Sequence, residues 1–318
     1  MSKHLFDVNS DYFLVQGDTH RMTEDYVLTN DREVIFRDSD PDRKKPLPGK
    51  IIGDPFAIVS DGCSGSEHTD VGARLLGLAA KQTLYTSVTP HSFCESVLRS
   101  SHAVSRVLQL PINCLDATLL AIRTNTQKTH YEPIMVGDGF FAGKNCDKSI
   151  FFYQYTFAKN APFYVRYTFD PENLKGYFEK FGTRYSVRYV RMIPNPQVQC
   201  GFQIVSESNT DFDLPTDLEN GAPFWFTPPM KDMFSVANLE AAAVISDGAE
   251  SFISQIQGQV SKMVDPEHIV WEVMNFKRYG GTFVANRCSK AFDLFRKRNW
   301  VNQDDFGMTA IHIKGEDQ

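Results

Sequence analysis

Three short apolar runs of this chain each end in the dipeptide Asp-Gly. They span residues 56–62, 134–139 and 243–248. A single Asp-Gly after an apolar run is a common signal of a β-hairpin turn. The runs before Asp61 and Asp247 share the longer pattern Ile/Val-Ser-Asp-Gly, and helix-like sequence follows each, which a two-residue hairpin would not produce. We therefore expect Asp61, Asp138 and Asp247 to lie where buried strands end.

Carboxylates gathered at neighbouring strand ends repel one another and raise each other's pKa unless a cation neutralises them. No cluster of Cys or His accompanies them, so an all-oxygen site for Mg²⁺ or Mn²⁺ fits better than a zinc site. The glycine after each aspartate leaves room for a backbone carbonyl or a water molecule. Two acidic pairs, Glu24-Asp25 and Asp304-Asp305, flank further predicted strands. Each pair alone is typical of an exposed turn, but a sheet that joins these strand ends would create a site for two metal ions.

Strand-like and helix-like stretches occur in groups along the chain. Strands are predicted at residues 12–15, 56–59, 117–122, 134–136, 163–169, 185–190, 242–245 and 309–313. Helices are predicted at about 70–83, 93–108, 251–256, 266–276 and 283–298. Runs of strands with helices grouped between them favour an α+β fold. No internal repeat or obvious linker divides the 318 residues, so one continuous domain is expected.

The segment at about 151–235 is rich in aromatic residues. Within 163–169, apolar side chains alternate with Tyr164, Arg166 and Thr168, which indicates a half-buried strand. Aromatic residues interleaved with arginine could instead form a stacking platform for single-stranded nucleic acid. The strand is favoured because 33 basic against 39 acidic residues give a formal net charge of −6, which opposes binding to a phosphate backbone. Residues 206–231 are expected to form a long surface excursion.

Targeting signals and cysteine usage bear on the location of the protein. No stretch reaches the roughly 18 uncharged apolar residues that a membrane span requires, and residues 1–10 lack the pattern of a secretory signal. The six cysteines are scattered without CxxC pairs or zinc-type spacing, so free thiols in a reducing compartment are expected. These features predict a cytoplasmic protein that binds neither membrane nor nucleic acid.

Taken in order along the chain, the motifs resemble those of the metal-dependent protein phosphatase 2C (PPM) family. The matching elements are residues 20–25 for the opening Arg…Glu-Asp, 59–65 for Asp-Gly-His-Gly-Gly, 70–73 for the start of the next helix, 116–118 for Gly-Ser/Ala-Thr, 137–139 for Gly-Asp-Ser, and 246–248 and 304–305 for the two closing acidic motifs. The resemblance covers about residues 12–143 and 242–313, and the chain looks like a divergent member of the family.

The resemblance implies a four-layer αββα sandwich, in which helices flank two antiparallel sheets. It also implies hydrolysis of phosphoserine and phosphothreonine in phosphoprotein substrates, by a water molecule that two Mn²⁺ or Mg²⁺ ions activate. The metal ligands would be Asp61, which bridges both ions, the Gly62 carbonyl, Asp247, Asp304, Glu24 and Asp138. Catalysis would depend on Asp61, on Glu24 and Asp25, which would hold the attacking water, and on His20.

Three positions depart from the family's pattern. His20, followed by Arg21, stands where the family usually has the arginine that grips the substrate phosphate, so these two residues are the expected phosphate ligands. Cys63 replaces a histidine proposed to protonate the leaving group and is expected to be a small packing residue. Ser251 replaces the aspartate of a third metal position, which argues against a third ion although Glu250 is adjacent.

These departures leave an alternative function open. The chain could be a catalytically degraded scaffold that engages a regulatory partner through residues 151–235. An active phosphatase is favoured because a scaffold has no need for so many clustered carboxylates. The retained acidic residues are Glu24, Asp25, Asp61, Asp247 and Asp304.

Overall fold

The computed structural model describes residues 7–30, 32–35, 47–51, 54–87, 89–125, 127–168, 171–214, 234–255 and 260–314. The α-helices within these ranges are α1 (Thr69–Thr83), α2 (Pro90–Val107), α3 (Pro171–Phe181), α4 (Pro266–Met274) and α5 (Phe283–Lys297). The strands are β1 (Asp7–Val15), β2 (Tyr26–Thr29), β3 (Arg32–Ile35), β4 (Leu47–Ile51), β5 (Phe56–Ser60), β6 (Leu119–Thr124), β7 (Tyr131–Val136), β8 (Gly139–Asn145), β9 (Ile150–Phe157), β10 (Arg184–Pro194), β11 (Phe202–Asp213), β12 (Leu239–Ile245), β13 (Phe252–Ser254), β14 (Lys262–Met263), β15 (Trp300–Asn302) and β16 (Phe306–Lys314).

Most of the strands form two antiparallel sheets. One has seven strands in the order β1-β16-β12-β8-β9-β10-β11, and the other has four in the order β2-β5-β6-β7. A three-stranded sheet, β14-β13-β15, and the hairpin β3-β4 are accessory. The first and last described strands are neighbours, because β1 pairs along its whole length with β16. This pairing brings acidic residues from both ends of the sequence to one region of the fold.

A core of large apolar side chains fills the space between the two sheets. Phe151, Tyr153 and Tyr155 of β9 belong to this core, whereas Ile150 and Phe152 of the same strand face the opposite side. The alternation follows from the pleat of a strand, which sends successive side chains to opposite faces. Both faces of β9 are therefore buried, which explains why its sequence is apolar almost throughout.

Helices cover the outer face of each sheet. Leu76 of α1, Phe93 of α2 and Ile58 of β5 share one buried cluster on the four-stranded sheet. On the seven-stranded sheet, Trp271 of α4 and Phe292 of α5 belong to the cluster that covers its outer face. Burial of a large apolar side chain stabilises the fold by about 1.5–3 kcal/mol. The order helix, sheet, sheet, helix confirms the predicted four-layer α+β sandwich.

The strand predicted at residues 163–169 is wrong. Val165–Thr168 forms a 3₁₀ turn, and Phe169 lies outside the described residues. Lys159 and Asn160 adopt left-handed backbone with φ of 57° and 52°, which turns the chain away from the end of β9. Phe163 then packs against Tyr177 of α3, with ring centroids 5.2 Å apart. The aromatic rings thus face a helix instead of lining a strand.

The helix predicted at residues 251–256 is also wrong. Phe252–Ser254 is strand β13, which pairs with β15, and residue 256 lies outside the described part. A stretch of six residues is too short to offset the cost of helix nucleation unless tertiary contacts favour the helix. Here they favour the strand, because the ring of Phe252 packs against Phe292 and Phe295 of α5 at 5.6 and 5.1 Å.

The surface excursion predicted at residues 206–231 is an exposed strand at its start. Residues 206–213 belong to β11, the edge strand of the seven-stranded sheet, and most of their side chains are exposed. Residues 215–231 lie outside the described part. The polar composition of 206–213 therefore reflects an edge position and does not exclude a strand.

Two further sequence features can be compared with the structure. Within the described ranges, no helix has the length and apolar character needed to cross a bilayer. All six cysteines lie in described parts of the chain and none forms a disulfide, as predicted.

Candidate active site

A small polar cavity of about 160 Å³ lies where ends of the two large sheets meet. It gathers residues that are far apart in the sequence. The residues that line it are His20, Asp61, Gly62, Cys63, Ser64, Thr118, Asp138, Asn160, Pro162, Tyr164, Asp247 and Asp304. Six of the predicted site residues, including four of the aspartates, therefore meet in one cavity.

Asp61 enters the cavity directly after β5. Its backbone N–H donates to the Thr118 hydroxyl at 2.9 Å, and its carbonyl accepts from the Thr118 N–H at 2.8 Å. Burial raises the pKa of the Asp61 carboxyl, and the neighbouring carboxyls of Asp25 and Asp247 raise it further. Asp25 follows the loop before β2 and is only 2% exposed. The paired strands β2 and β5 thus place these two carboxylates side by side.

Asp138 lies where the chain crosses from one sheet to the other. It follows β7 of the four-stranded sheet and precedes β8 of the seven-stranded sheet. Gly137 and Gly139 on either side have φ of 98° and 117°, a conformation that residues with a Cβ rarely adopt. This Asp-Gly is therefore a crossover between sheets, and the alternative of a hairpin turn does not apply.

Asp247 begins a 3₁₀ turn at the end of β12. The preceding Ser246 fixes this end of the strand, since its hydroxyl accepts from the Gly307 N–H at 2.9 Å and its own N–H donates to the Gly307 carbonyl at 2.9 Å. A Cβ on Gly248 would stand 1.7 Å from the Asp305 carbonyl oxygen. The glycine after Asp247 is therefore required for the close approach of the chain that carries Asp304 and Asp305.

Ser251 holds Asp304 beside Asp247. Its hydroxyl donates to the Gly248 carbonyl at 2.8 Å and accepts from the Asp304 N–H at 3.1 Å. Ser251 is thus engaged in two hydrogen bonds with backbone groups. Glu250 beside it lies within hydrogen-bonding reach of Gln154, and burial raises its pKa to about 7.

Asp305 has a structural role that the sequence did not distinguish from that of Asp304. It is 1% exposed, and its carboxylate accepts from the backbone N–H groups of Gly17 at 2.8 Å and Glu24 at 2.6 Å. It therefore ties the loop before β2 to the start of β16. Glu24 is placed next to the cavity by this contact, although it does not line it.

His20 lies on the cavity wall, and Arg21 does not. The Nε2 atom of His20 is 3.1 Å from Asp304 Oδ1 and its Nδ1 is 3.2 Å from Asp305 Oδ2. Burial opposes the charged imidazole, but Asp304 and Asp305 outweigh it and raise the pKa of His20. Arg21 is exposed and is not among the lining residues.

Most carboxyl groups of the site have raised pKa values. Burial is the largest cause of the raised pKa values of four of them, followed at most of the four by repulsion from neighbouring carboxylates; the four are Asp25, Asp61, Asp138 and Asp304. The pKa of Asp25 rises to about 7, and those of Asp61 and Asp138 rise well above the ordinary range. The pKa values of Glu24 and Asp304 are raised as well.

The same carboxylates offer oxygens that lack partners. Four of their oxygens are buried and accept no hydrogen bond from any described residue: Glu24 Oε2, Asp247 Oδ1 and both carboxyl oxygens of Asp25. Among the described residues, no group of three or more Asp, Glu, His or Cys is arranged so that it could hold a metal ion as it stands. The donor set nevertheless fits a hard divalent cation, because buried carboxylate oxygens without hydrogen-bond donors need positive charge.

The sequence analysis missed one wall of the cavity. Asn160, Pro162 and Tyr164 line it, and all three belong to the segment that was predicted to be a strand or its approach. The Tyr164 hydroxyl lies within hydrogen-bonding reach of the Cys63 thiol. Pro162, two residues after the left-handed backbone of Lys159 and Asn160, was the available signal that the chain leaves the sheet at this point.

A larger cavity of about 840 Å³ lies at the other ends of β8 and β12. Its wall includes Lys144 and Lys148, but both lysines pair with Glu240. Glu240 also accepts a hydrogen bond from the Tyr279 hydroxyl at 2.6 Å. These charged groups satisfy one another, so the smaller cavity with its unpartnered carboxylates is the candidate site.

Comparison with known proteins agrees with the fold. The chain is similar to a mutant bacterial serine phosphatase at 11% identity and a TM-score of 0.50, over 97% of this chain and 99% of that one. It also matches Stp1 from Staphylococcus aureus (9% identity, TM-score 0.47, 97% and 96% covered) and PstP/Ppp from Mycobacterium tuberculosis (12%, 0.44, 98% and 100%). No protein-family model and no curated protein matches the chain. The first likeness shows a PP2C-like fold.

Proposed function

We propose that the protein is a metal-dependent phosphatase that hydrolyses phosphoserine and phosphothreonine monoesters in phosphoprotein substrates. The observation that carries this proposal is the convergence of Asp61, Asp138, Asp247 and Asp304 on one polar cavity of about 160 Å³. Their surroundings favour a bound cation over the empty arrangement, for the reasons of charge and unpartnered oxygens given above. The volume suits a phosphate group far better than a whole peptide.

The chain's own residues would divide the work as follows. Asp61 would bridge two divalent ions, Mn²⁺ or Mg²⁺, whose other ligands would be the Gly62 carbonyl, Asp247, Asp304, Glu24 and Asp138. Bound there, the ions would supply Lewis-acid activation of water and neutralise charge that develops at the phosphorus. Asp25 and Glu24 would orient the attacking water as acceptors. Ser251 occupies the third-ion position with hydrogen bonds to backbone, which favours two ions over three.

His20 would bind the substrate phosphate. Burial opposes ionisation of the ring, but in the metal-free protein the neighbouring Asp304 and Asp305 raise the pKa of His20. As an imidazolium, the ring would add positive charge to an otherwise acidic cavity wall. Its Nε2–H now faces Asp304, and binding of a cation by Asp304 would release this donor to a phosphate oxygen. Arg21 is exposed beside the site and would contact the outer part of a substrate.

A regulatory binding scaffold is the second candidate function. Two observations favour it. Cys63 stands in place of a histidine, and no group of three or more Asp, Glu, His or Cys among the described residues is arranged to hold a metal ion. In that case residues 151–235 would bind the partner. We also propose that residues 1–318 form a single phosphatase domain with this segment as a divergent insert, and that the protein is cytoplasmic.

A direct assay separates the two functions. Purified protein is expected to hydrolyse p-nitrophenyl phosphate and a phosphoserine peptide with Mn²⁺, and to lose this activity with EDTA. A phosphotyrosine peptide of the same sequence is the matched substrate control. Equal background release with Mn²⁺, with EDTA and without protein would support the scaffold instead.

Replacing Cys63 by serine is expected to lower turnover by less than about tenfold, because Cys63 is expected to be a packing residue and not a general acid. Loss of a general acid typically lowers turnover by about 100-fold or more. Cys63 lines the cavity, but its thiol is in contact with the Tyr164 hydroxyl, as a packing residue would be. The measurement is kcat for p-nitrophenyl phosphate at saturating Mn²⁺, with Cys63→Ala as the second variant. A hundredfold loss in both, with unchanged Mn²⁺ affinity, would assign the thiol to proton transfer.

A further inference from the structure

Residues 158–168 form a wall of the cavity that carries unusual backbone. Lys159 and Asn160 both have left-handed φ values, of 57° and 52°, although neither is glycine. Such backbone persists only where surrounding contacts determine it. Asn160 and Tyr164 of this segment reach the cavity. The position of the wall must therefore depend on contacts that the segment makes elsewhere.

One set of contacts is made with α3. The Tyr177 hydroxyl donates to the Ala161 carbonyl at 2.7 Å, and Lys159 Nζ donates to the Lys180 carbonyl at 2.6 Å. Phe163 packs edge to face on the Tyr177 ring. These contacts hold the outer side of the segment, but none of them reaches the cavity loop after β5.

The second contact joins the segment to that loop through a buried ion pair. Arg166, 9% exposed, donates from Nε to the carboxylate of Asp116, which is 4% exposed. The other Asp116 oxygen accepts from the Ser66 hydroxyl at 2.7 Å, and the Asp116 carbonyl accepts from the Cys63 N–H at 2.8 Å. The guanidinium also lies over the Tyr167 ring at 4.8 Å. Asp116 thus links both sides of the cavity.

We infer that Asp116 and Arg166 are positioning residues, which fix Tyr164 against the Cys63 loop and thereby set the affinity of the cavity for a phosphate monoester. This inference rests on the proposed function and adds to it a determinant of substrate binding. A cavity of about 160 Å³ tolerates little movement of its wall, and misplacement by about 1 Å can cost as much as 100-fold in rate. Neither residue lines the cavity, so their effect acts through Tyr164 and the loop of Cys63.

The test compares Arg166→Met, which removes the charge, with Arg166→Lys, which retains it. The Met variant is expected to lower kcat/KM for p-nitrophenyl phosphate by about 10- to 100-fold, mostly through KM, because the wall contacts substrate and holds none of the metal ligands. The Lys variant is expected to recover most of this loss. Mn²⁺ affinity is expected to stay unchanged in both variants.

The matched control is Arg287→Met, which breaks the ion pair of Arg287 with Glu272 in the outer helical layer. It removes a paired and partly buried charge and is expected to leave KM within about twofold of the wild type. If Arg287→Met raises KM as much as Arg166→Met does, a general loss of stability explains both and the inference fails. Asp116→Asn, which keeps the volume of the side chain, replaces Arg166→Met if the latter does not fold.

Hydrogen exchange separates this inference from the proposed function. Amides of residues 160–168 are expected to exchange faster in Arg166→Met than in the wild type, while those of β5 and β6 do not change. Should the wild type hydrolyse no substrate, the proposed function fails, and the inference is then decided by calorimetric binding of inorganic phosphate with Mn²⁺. Binding weakened about tenfold in Arg166→Met, with faster exchange, supports it. Unchanged binding or unchanged exchange overturns it.

Discussion

Replacing Asp61 by asparagine is expected to lower metal-dependent turnover by about a thousandfold. The substitution keeps the size of the side chain and removes the charge that faces Asp25 and Asp247 at the end of β5. In the proposed function Asp61 would hold the divalent ions, so its loss would remove several kcal/mol of transition-state stabilisation. The measurement is kcat/KM for p-nitrophenyl phosphate at saturating Mn²⁺, together with Mn²⁺ affinity by calorimetry.

Stability measurements show whether such a loss comes from the chemistry or from unfolding. Without metal, Asp61→Asn is expected to be at least as stable as the wild type, because an amide replaces a carboxyl group whose ionisation is disfavoured by burial and by Asp25. The matched control is Asp11→Asn. Asp11 is also buried, but it accepts from the Val284 and Ala285 N–H groups at the start of α5 and is not among the residues that line the cavity.

Asp11→Asn is expected to lower the free energy of unfolding by about 1 kcal/mol, because it weakens a charge at a helix N-terminus. Its turnover is expected to stay near that of the wild type. The bridging role of Asp61 would be wrong if Asp61→Asn kept a tenth or more of the metal-dependent turnover. It would also be wrong if Asp11→Asn lost turnover to the same extent.

The sequence predicted the carboxylates of the site because each of them stands at the end of an apolar strand. Asp61 and Asp247 follow β5 and β12, and the pattern of a buried strand followed by Asp-Gly is local information. What the pattern could not supply was the pairing of β1 with β16, which joins opposite ends of the chain.

The sequence did not predict the wall formed by residues 158–168 or the role of Ser251. Alternation of aromatic and polar residues is compatible with a strand, but rings at positions 163 and 167 can also pack on one neighbouring helix. The left-handed backbone at Lys159 and Asn160 is not marked by glycine in the sequence, so local pattern did not predict it. Ser251 was recognised only as a missing ligand, because its bonds to Gly248 and Asp304 depend on tertiary structure.

The metal-free protein is expected to lose stability as the pH rises from about 4 to 7. An unfolded aspartate has a pKa of about 3.9, whereas burial raises the pKa of Asp25 in the folded protein to about 7. The folded state therefore binds more protons than the unfolded state between these values, and its stability falls as the proton is lost. For Asp25 alone, the free energy of unfolding is expected to fall by on the order of 4 kcal/mol over this pH range. The raised pKa values of Asp61 and Asp138 lower the free energy of unfolding in the same direction.

A bound divalent cation is expected to reverse this loss, because it binds the deprotonated carboxylates of the folded state. At a Mn²⁺ concentration of about 100 times Kd, the gain is about 2.7 kcal/mol at pH 7.5. It is expected to be much smaller at pH 5, where protons compete for the same oxygens. The measurement is urea unfolding at both pH values, with EDTA or with Mn²⁺.

Asp25→Asn is the matched variant for this pH dependence. It keeps the shape of the buried side chain but cannot ionise, so its metal-free stability is expected to vary less between pH 5 and pH 7.5 than that of the wild type. Carboxylates with a lowered pKa, such as Asp147 and Glu240, make the folded state more stable as the pH rises, but their effect lies at lower pH values than that of Asp25. A wild-type stability that rises from pH 5 to pH 7.5 in EDTA, or an equal Mn²⁺ effect at both pH values, would contradict a cluster of protonated carboxyls awaiting a cation.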